Sequence, residues 1–146
     1  MSRDLYGGVT EQAKASRHRL DDAHVLLTTR FRGSMYLAGY AVECLLKAKL
    51  MRARGCRTLA DLEKRMRERG ELSANTTIFS HQLEVLLGLT GGTDRLRSAT
   101  EIWHQFVKVN RWTPAWRYSP DLSNHEDADS FFRAVKDVLH WIEFNL

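Results

Sequence analysis

The sequence predicts an all-α protein, an up-and-down bundle of five to six helices that forms a single domain across residues 1–146. Apolar residues recur at spacings of three and four along most of the chain, which is typical of amphipathic helices. The alternation of β-branched residues that marks strands is absent, and both prolines fall between residues 114 and 120. A chain of 146 residues, 43% of them hydrophobic, can bury a core without disulfides or metals.

The first two helices form the predicted centre of the bundle. We expect the first over Val9–Arg30, with a core-facing stripe comprising Val9, Ala13, Ser16, Leu20, Ala23 and Leu27. Gly33-Ser34 ends this helix and starts the next. The second, Ser34–Arg54, is apolar on nearly every side, so we expect it to be buried. Gly55 ends it, because glycine readily adopts the left-handed conformation that follows a helix.

A strip of polar side chains interrupts the apolar second helix. The strip follows spacings of four, three and four, which keep it on one narrow face, and it comprises Tyr36, Tyr40, Glu43 and Lys47. Glu43 before Lys47 is the favourable order for an ion pair one helical turn apart. Two interpretations are open: a solvated edge or a structural salt bridge, or a polar seam that holds a ligand or a partner.

Capping residues predict where the later helices begin. Thr58, with Asp61 three residues later, is typical of the start of a short helix that stops at Gly70. Loop chemistry follows over residues 70–79. Ser80 is expected to cap a brief helix, His81–Leu87.

The last two predicted helices lie on either side of a loop that contains both prolines. Thr93 or Asp94 begins a helix with an apolar face of Leu96, Ala99, Ile102, Trp103, Phe106 and Val107. Pro114 and Pro120 keep residues 110–123 out of a helix. Asn124 caps the final helix, whose predicted buried side comprises Ala128, Phe131, Phe132, Val135, Val138, Leu139 and Ile142.

Several classes of site are not expected from the spacing of the reactive residues. The six histidines and the two cysteines, Cys44 and Cys56, form no metal-ligand or redox pattern, so no metal and no cofactor is predicted. The Gly91-Gly92 pair lacks the lysine and the hydroxyl residue of a phosphate-binding loop. The polar start of the chain and the low cysteine content favour a cytoplasmic protein without a leader, and no segment is apolar enough for a membrane span.

Charge is distributed unevenly along the chain. Residues 1–70 carry 15 Lys and Arg against 8 Asp and Glu, whereas residues 71–146 carry 7 against 10. The basic excess is greatest between Lys47 and Arg57 and continues from Lys64 to Arg69. Such a cluster can attract phosphate backbones, or it can be a solvated face at the negative end of a helix.

Arg97 and His104 form one candidate catalytic pair. Seven residues are two helical turns, so on a continuous helix they share a face about 10 Å apart. The interpretations are a solvated polar face, or an arginine that holds a phosphate and a histidine that moves a proton.

The loop after that helix concentrates aromatic and basic side chains. It contains Trp112, Trp116 and Tyr118 together with Arg111 and Arg117. The aromatic rings could stack on bases while the arginines contact phosphates. Alternatively, the tryptophans cover the core and the arginines cap helix ends.

Four segments in order, AGYAVECLLKAKL (38–50), SHQLEVLL (80–87), WRYSPDL (116–122) and AVKDVLHWI (134–142), resemble the HEPN family, the higher eukaryote and prokaryote nucleotide-binding domains. The resemblance implies a helical bundle, usually a homodimer, that often pairs with a nucleotidyltransferase in toxin–antitoxin or related systems. Many members are ribonucleases with an Arg-x4–6-His motif, and others are binding modules. At the positions that the family commonly retains, this chain has Glu43, Lys47, Arg117 and Tyr118.

The match to the ribonuclease motif is incomplete. Arg117 and His125 are separated by seven residues, and Arg97-x6-His104 fits the spacing one helix too early. The resemblance therefore favours a non-catalytic module that binds a nucleotide or RNA, or docks onto a nucleotidyltransferase. Its expected ligand-binding residues are Glu43, Lys47, Arg111, Arg117 and Tyr118. The alternatives are a metal-independent endoribonuclease toxin that uses Arg97 and His104, and a structural dimerisation module.

Overall fold

The computed structural model describes residues 8–119 and 123–146, and within these segments the protein is an all-α bundle, as predicted. The helices are α1 (Val9–Leu26), α2 (Phe31–Arg54), α3 (Leu59–Glu68), α4 (Leu83–Thr90), α5 (Thr93–Ser98), α6 (Thr100–Val109) and α7 (His125–Asn145), with a 3₁₀ helix at Pro114–Tyr118 between α6 and α7. The described segments contain no strand, and one isolated bridge pairs Gly8 with Thr58. The predictions made on residues 1–7 and on 120–122 lie outside the described residues.

α1 and α2 form an antiparallel hairpin that two buried serine hydroxyls hold together. Ser16 Oγ donates to the carbonyl of Ala41 at 2.7 Å, and Ser34 Oγ donates to the carbonyl of Ala23 at 2.6 Å. The two bonds pair a later residue of α1 with an earlier residue of α2, which shows that the helices run in opposite directions. Each bond satisfies a buried hydroxyl that would otherwise be costly.

α7 runs parallel to α2. The rings of Phe31 and His125 lie 6.0 Å apart at the start of both helices, and Lys49 Nζ donates to the carbonyl of Glu143 at 3.0 Å near their ends. α5 begins beside the end of α7, where Arg95 bonds the carbonyl of Asn145. α6 then returns along α7, so the long helices alternate in direction, as an up-and-down bundle requires.

α2 is the central helix, which confirms the sequence prediction. Fourteen of its 24 residues are buried, and α1, α4 and α7 pack around it. Ala38, Val42, Leu46 and Met51 have no or almost no exposed surface. In the described residues no helix is both long enough and apolar enough to cross a membrane.

Three of the predicted helix ends are confirmed by their capping contacts. Thr58 Oγ1 accepts from the backbone N–H of Asp61 at 3.1 Å, and Asn124 Oδ1 accepts from that of Asp127 at 2.8 Å. Gly55 follows α2 with φ of 63°, in the left-handed region. These ends depend on local chemistry, so the sequence alone predicts them well.

The predicted boundaries of α1, α2 and α4 are wrong by a few residues. α1 ends at Leu26 rather than Arg30, and α2 starts at Phe31 rather than at Ser34. Ser34 lies inside α2, and its hydroxyl donates to the carbonyl of Ala23 in α1 instead of capping α2. Ser80 accepts from the N–H of Gln82 in a local turn, so α4 begins only at Leu83.

The predicted helix from Thr93 or Asp94 through Val107 is broken in two. Ala99 has φ of −86° and ψ of 77°, which are not helical values, and it separates α5 from α6. Just before the break, Ser98 Oγ donates to the carbonyl of Asp94, a bond that competes with the helix backbone and bends it. This break raises the number of α-helices in the described segments from the expected five or six to seven.

Candidate functional site

The polar strip of α2 is buried. Glu43 and Lys47 are each only 5% exposed, and Lys47 Nζ lies 3.2 Å from Glu43 Oε2. The pair therefore does not lie on a solvated edge, and the interpretations as a structural salt bridge and as a polar seam both stay open. Because burying two charges has a large desolvation cost, the pair persists only with good geometry and further hydrogen bonds.

His81 supplies that further hydrogen bond. Its Nδ1 lies 2.7 Å from Glu43 Oε1, so the two oxygens of one carboxylate contact a lysine and a histidine. The imidazole side chain is 52% exposed, in contrast to the buried carboxylate that holds it. The contact with Glu43 orients the ring through Nδ1, and Nε2 is the ring nitrogen that Glu43 does not contact.

An aromatic cluster covers the strip on the side of the α6–α7 loop. Trp112 Nε1 donates to the carbonyl of Tyr36 at 2.9 Å, and the ring of Tyr40 packs edge-on at 4.8 Å from that of Trp112. A Cβ added at Gly39 would lie 2.0 Å from Trp112 Cδ1, so the absent side chain makes this approach possible. Trp112 is buried, which favours the interpretation that it covers the core.

Tyr40 joins the aromatic cluster to the ion pair. Burial, the hydrogen bond and charge of Tyr36, and the charge of Glu43 together raise the pKa of Tyr40 well above its ordinary value, although the nearby Arg117 charge lowers it. The hydroxyl therefore stays protonated at neutral pH. It accepts from the Tyr36 hydroxyl at 3.4 Å, and the ring of Tyr40 lies 6.3 Å from that of His81.

An open cleft of about 500 Å³ lies beside His81, and we call it the His81 cleft. Its volume is within the usual range for ligand sites, roughly 300–1,000 Å³. Asn110 Nδ2 bonds Glu84 Oε2 at 3.3 Å across it. Its walls come from the α3–α4 connection with the start of α4 (Ser80, His81, Gln82, Leu83, Glu84) and from the segment after α6 (Asn110, Trp112, Thr113, Pro114).

The predicted ligand-binding arginine and tyrosine lie at the end of the 3₁₀ helix. Tyr118 is 80% exposed, and the guanidinium of Arg117 lies 5.2 Å from its ring centre. The 3₁₀ helix that carries this pair packs against α2. Trp116 instead packs against Phe131 at 5.4 Å. Arg111 is exposed at the end of α6 and is not among the cleft walls.

The structure places Arg97 and His104 on different helices. Arg97 is in α5 and His104 in α6, so the prediction of one continuous helical face is wrong. The guanidinium of Arg97 lies over the Trp103 ring at 5.2 Å, and both Arg97 and His104 are exposed. In the described residues no hydrogen bond joins the two side chains. Their catalytic role stays a prediction that the geometry does little to favour.

Part of the basic cluster has a structural role. Arg54 pairs with Glu71, Arg65 bonds the carbonyl of Arg54, and Arg67 pairs with Glu63 at 2.6 Å. Burial alone would raise the pKa of Glu63, but its hydrogen bonds with Arg67, the N–H of Ile78 and the hydroxyl of Thr77 outweigh it and lower the pKa. The Glu63 contacts attach the α3–α4 connection, which carries His81, to α3, and the Arg54–Glu71 pair attaches it to α2.

Sequence reasoning missed the partnership between His81 and Glu43. The two residues are 38 positions apart, and no spacing rule joins them. In the described segments no group of three or more His, Cys, Asp or Glu residues could hold a metal ion. Comparisons with protein-family models, with curated proteins and with solved structures found no match.

Proposed function

We propose that this chain is a HEPN-like, non-catalytic module that binds a nucleotide or single-stranded RNA beside the α2 strip. The observation that carries the proposal is the buried Glu43 carboxylate, which fixes the half-exposed His81 next to an open cleft. The imidazole satisfies the second oxygen of this carboxylate and at the same time lines the cleft. Perturbed or buried charged groups at a cleft are typical of functional sites.

Arg117 and Tyr118 give this surface the chemistry that nucleotides require. An exposed tyrosine offers a face for base stacking, and an adjacent guanidinium can contact a phosphate. His81 would contribute a further polar contact from the cleft. The resemblance of the four sequence segments supports the same class of ligand, a homodimer, and a nucleotidyltransferase as the protein partner.

Fluorescence anisotropy with a labelled ten-residue oligouridine, together with calorimetry of AMP and ATP, tests this proposal. Tyr118→Ala and Arg117→Ala should each weaken binding about tenfold or more, because stacking of one base contributes roughly 1–3 kcal/mol. Arg117→Ala should also reduce the salt dependence by about one phosphate contact.

The matched control is Arg133→Ala, which removes an exposed arginine from α7. It should leave binding nearly unchanged, and all three variants should keep the melting temperature of the parent. If Arg117→Ala and Arg133→Ala lose the same binding affinity, the attraction of RNA is non-specific electrostatics and the proposed site is refuted. Binding that persists unchanged in Tyr118→Ala would refute the stacking role.

The contact between Glu43 and His81 also supports a second candidate, a metal-independent endoribonuclease. A carboxylate that orients a histidine is a common arrangement for proton transfer. His81 Nε2 would take the proton of a ribose 2′-hydroxyl as that oxygen attacks the neighbouring phosphorus, with Arg117 stabilising the added charge. The bond to the 5′-oxygen would break, and a 2′,3′-cyclic phosphate and a 5′-hydroxyl would form once that oxygen takes a proton from water.

RNA cleavage in the presence of EDTA separates the candidates. Activity that disappears in His81→Ala but survives in His104→Ala would assign the reaction to His81 rather than to the predicted pair of Arg97 and His104. The opposite result would restore that pair. Absence of cleavage by the parent protein, together with RNA binding, would leave the non-catalytic module.

A further inference from the structure

A second concave surface lies between α1, α2 and α7, away from the His81 cleft, and we call it the α1–α7 groove. It has a volume of about 350 Å³, which is large enough for a small ligand. Two of its lining residues on α1, Ala13 and Ser16, are small and buried. The hydroxyl of Ser16 already donates to the carbonyl of Ala41, so the floor offers a ligand no unsatisfied polar group there.

The walls of the groove are aliphatic. Leu20 from α1 and Leu139 from α7 are half-buried, and Leu45 from α2 is almost fully buried beneath them. Each methylene that enters such a surface leaves water, which favours binding of an aliphatic chain.

The rim of the groove has an excess of positive charge. Arg17 and Arg52 border it, both are exposed, and neither side chain has a hydrogen bond or an ion pair with any described residue. The one acidic side chain at the rim, Glu143, lies 3.7 Å from Lys49, which balances its charge. An anionic group is therefore the complement of this rim, and a guanidinium binds a carboxylate well.

The surrounding surface favours a small molecule over a protein partner. A stable protein interface buries about 800 Å² on each partner. The large exposed apolar side chains of the described segments lie on different elements, at Val25, Val107, Tyr118 and Phe144. Phe144 is next to the groove, with its ring 4.7 Å from that of His140, whereas the others do not extend the apolar surface.

We propose that the α1–α7 groove binds a medium-chain aliphatic carboxylate. The chain lies against Leu20, Leu45 and Leu139, and the carboxylate contacts Arg17 or Arg52. This site is separate from the nucleotide surface, so it does not depend on the proposed function.

Calorimetry and chemical-shift mapping of the parent protein with hexanoate, octanoate and decanoate, all below micelle-forming concentrations, test the proposal. Affinity should rise with length, by up to roughly fourfold for each methylene that is buried. Shifts should centre on residues of the groove. Decanol, which lacks the charge, should bind at least tenfold more weakly than decanoate.

Two variants and one matched control assign the contacts. Arg17→Ala/Arg52→Ala should weaken decanoate binding at least tenfold without changing the melting temperature, because neither side chain has a structural partner. Leu139→Trp should block the groove. Arg57→Ala/Lys64→Ala removes two exposed cations from another surface and should bind like the parent.

Three outcomes would overturn the proposal. These are no binding of decanoate by the parent, no dependence on chain length, or equal losses in the Arg17/Arg52 and Arg57/Lys64 double variants. If Leu139→Trp does not fold, the chain-length series and the arginine variants decide the question.

Discussion

Replacing Glu43 by glutamine tests whether the buried ion pair between Glu43 and Lys47 in α2 stabilises the folded protein. The substitution keeps the shape of the side chain but leaves the Lys47 ammonium, whose side chain is 6% exposed, without a counter-charge. Breaking one partner of a buried pair costs about 3–5 kcal/mol. For 146 residues the entropy of unfolding is about 0.3 kcal/mol per degree, so the melting temperature should fall by about 10–16 °C.

The assay is urea and thermal unfolding followed by circular dichroism, with a matched exposed pair as the control. Arg133 and Asp129 have the same four-residue spacing and a 2.9 Å contact, but the arginine side chain is 77% exposed. Asp129→Asn should therefore cost no more than about 0.5 kcal/mol. Comparable losses in Glu43→Gln and Asp129→Asn would refute the reasoning.

A double-mutant cycle sharpens the same test. Lys47→Met alone should destabilise the protein, because it leaves the Glu43 carboxylate buried without its lysine. Together with Glu43→Gln it removes both charges, so the double variant should be more stable than the sum of the single losses predicts, by about 0.5–3 kcal/mol. Additive losses would mean that the two side chains stabilise the fold independently.

Three further predictions concern other parts of the structure. Gly39→Ala should destabilise by about 1–3 kcal/mol, because the new methyl group would collide with Trp112. Gly33→Ala in the same helix meets nothing closer than 3.6 Å and should stabilise by up to about 1 kcal/mol; chemical denaturation of both variants checks the contrast. Burial, with the charge of Glu43, raises the pKa of Cys44 from 9.0 to about 11. At pH 8 this thiol should therefore be ionised about a hundredfold less than an unperturbed thiol. Alkylation of the native protein, followed by mass spectrometry, should show that Cys44 reacts slowly. The pKa of Glu63 is lowered in the folded state, so its contribution to stability is present above about pH 4.5 and is lost as the pH falls through the folded pKa. Glu63→Gln should destabilise the protein by roughly 1–3 kcal/mol at pH 7. Urea titrations from pH 3 to 7 should show that the stability of this variant depends less on pH than that of the parent.

The fold was predictable wherever short-range chemistry decides the structure. The apolar surface of α2 indicated a central helix, and Thr58 and Asn124 cap helices as their side chains suggest. The polar strip also lies on one face, because helical periodicity fixes it. Each of these features is determined by a few neighbouring residues, so it can be predicted from a short stretch of the sequence.

The remainder depends on contacts between distant parts of the chain. Ser34 is a good capping residue by composition, but its hydroxyl bonds α1 instead. The partnership of His81 with Glu43 likewise appears only when the α3–α4 connection packs against α2. Tertiary structure decides the contacts of both Ser34 and His81, and local preference does not.

The parallel course of α2 and α7 has a practical consequence for handling this protein. Lys49 meets Glu143 near the end of both helices, and Gly8 pairs with Thr58 just beyond α2, so residues 8 and 146 lie toward the same pole of the bundle. The His81 cleft lies toward the opposite pole, where Trp112 meets the first half of α2. A purification tag or a sensor-chip tether joined after Leu146 would therefore lie away from the cleft and leave it accessible to an injected ligand.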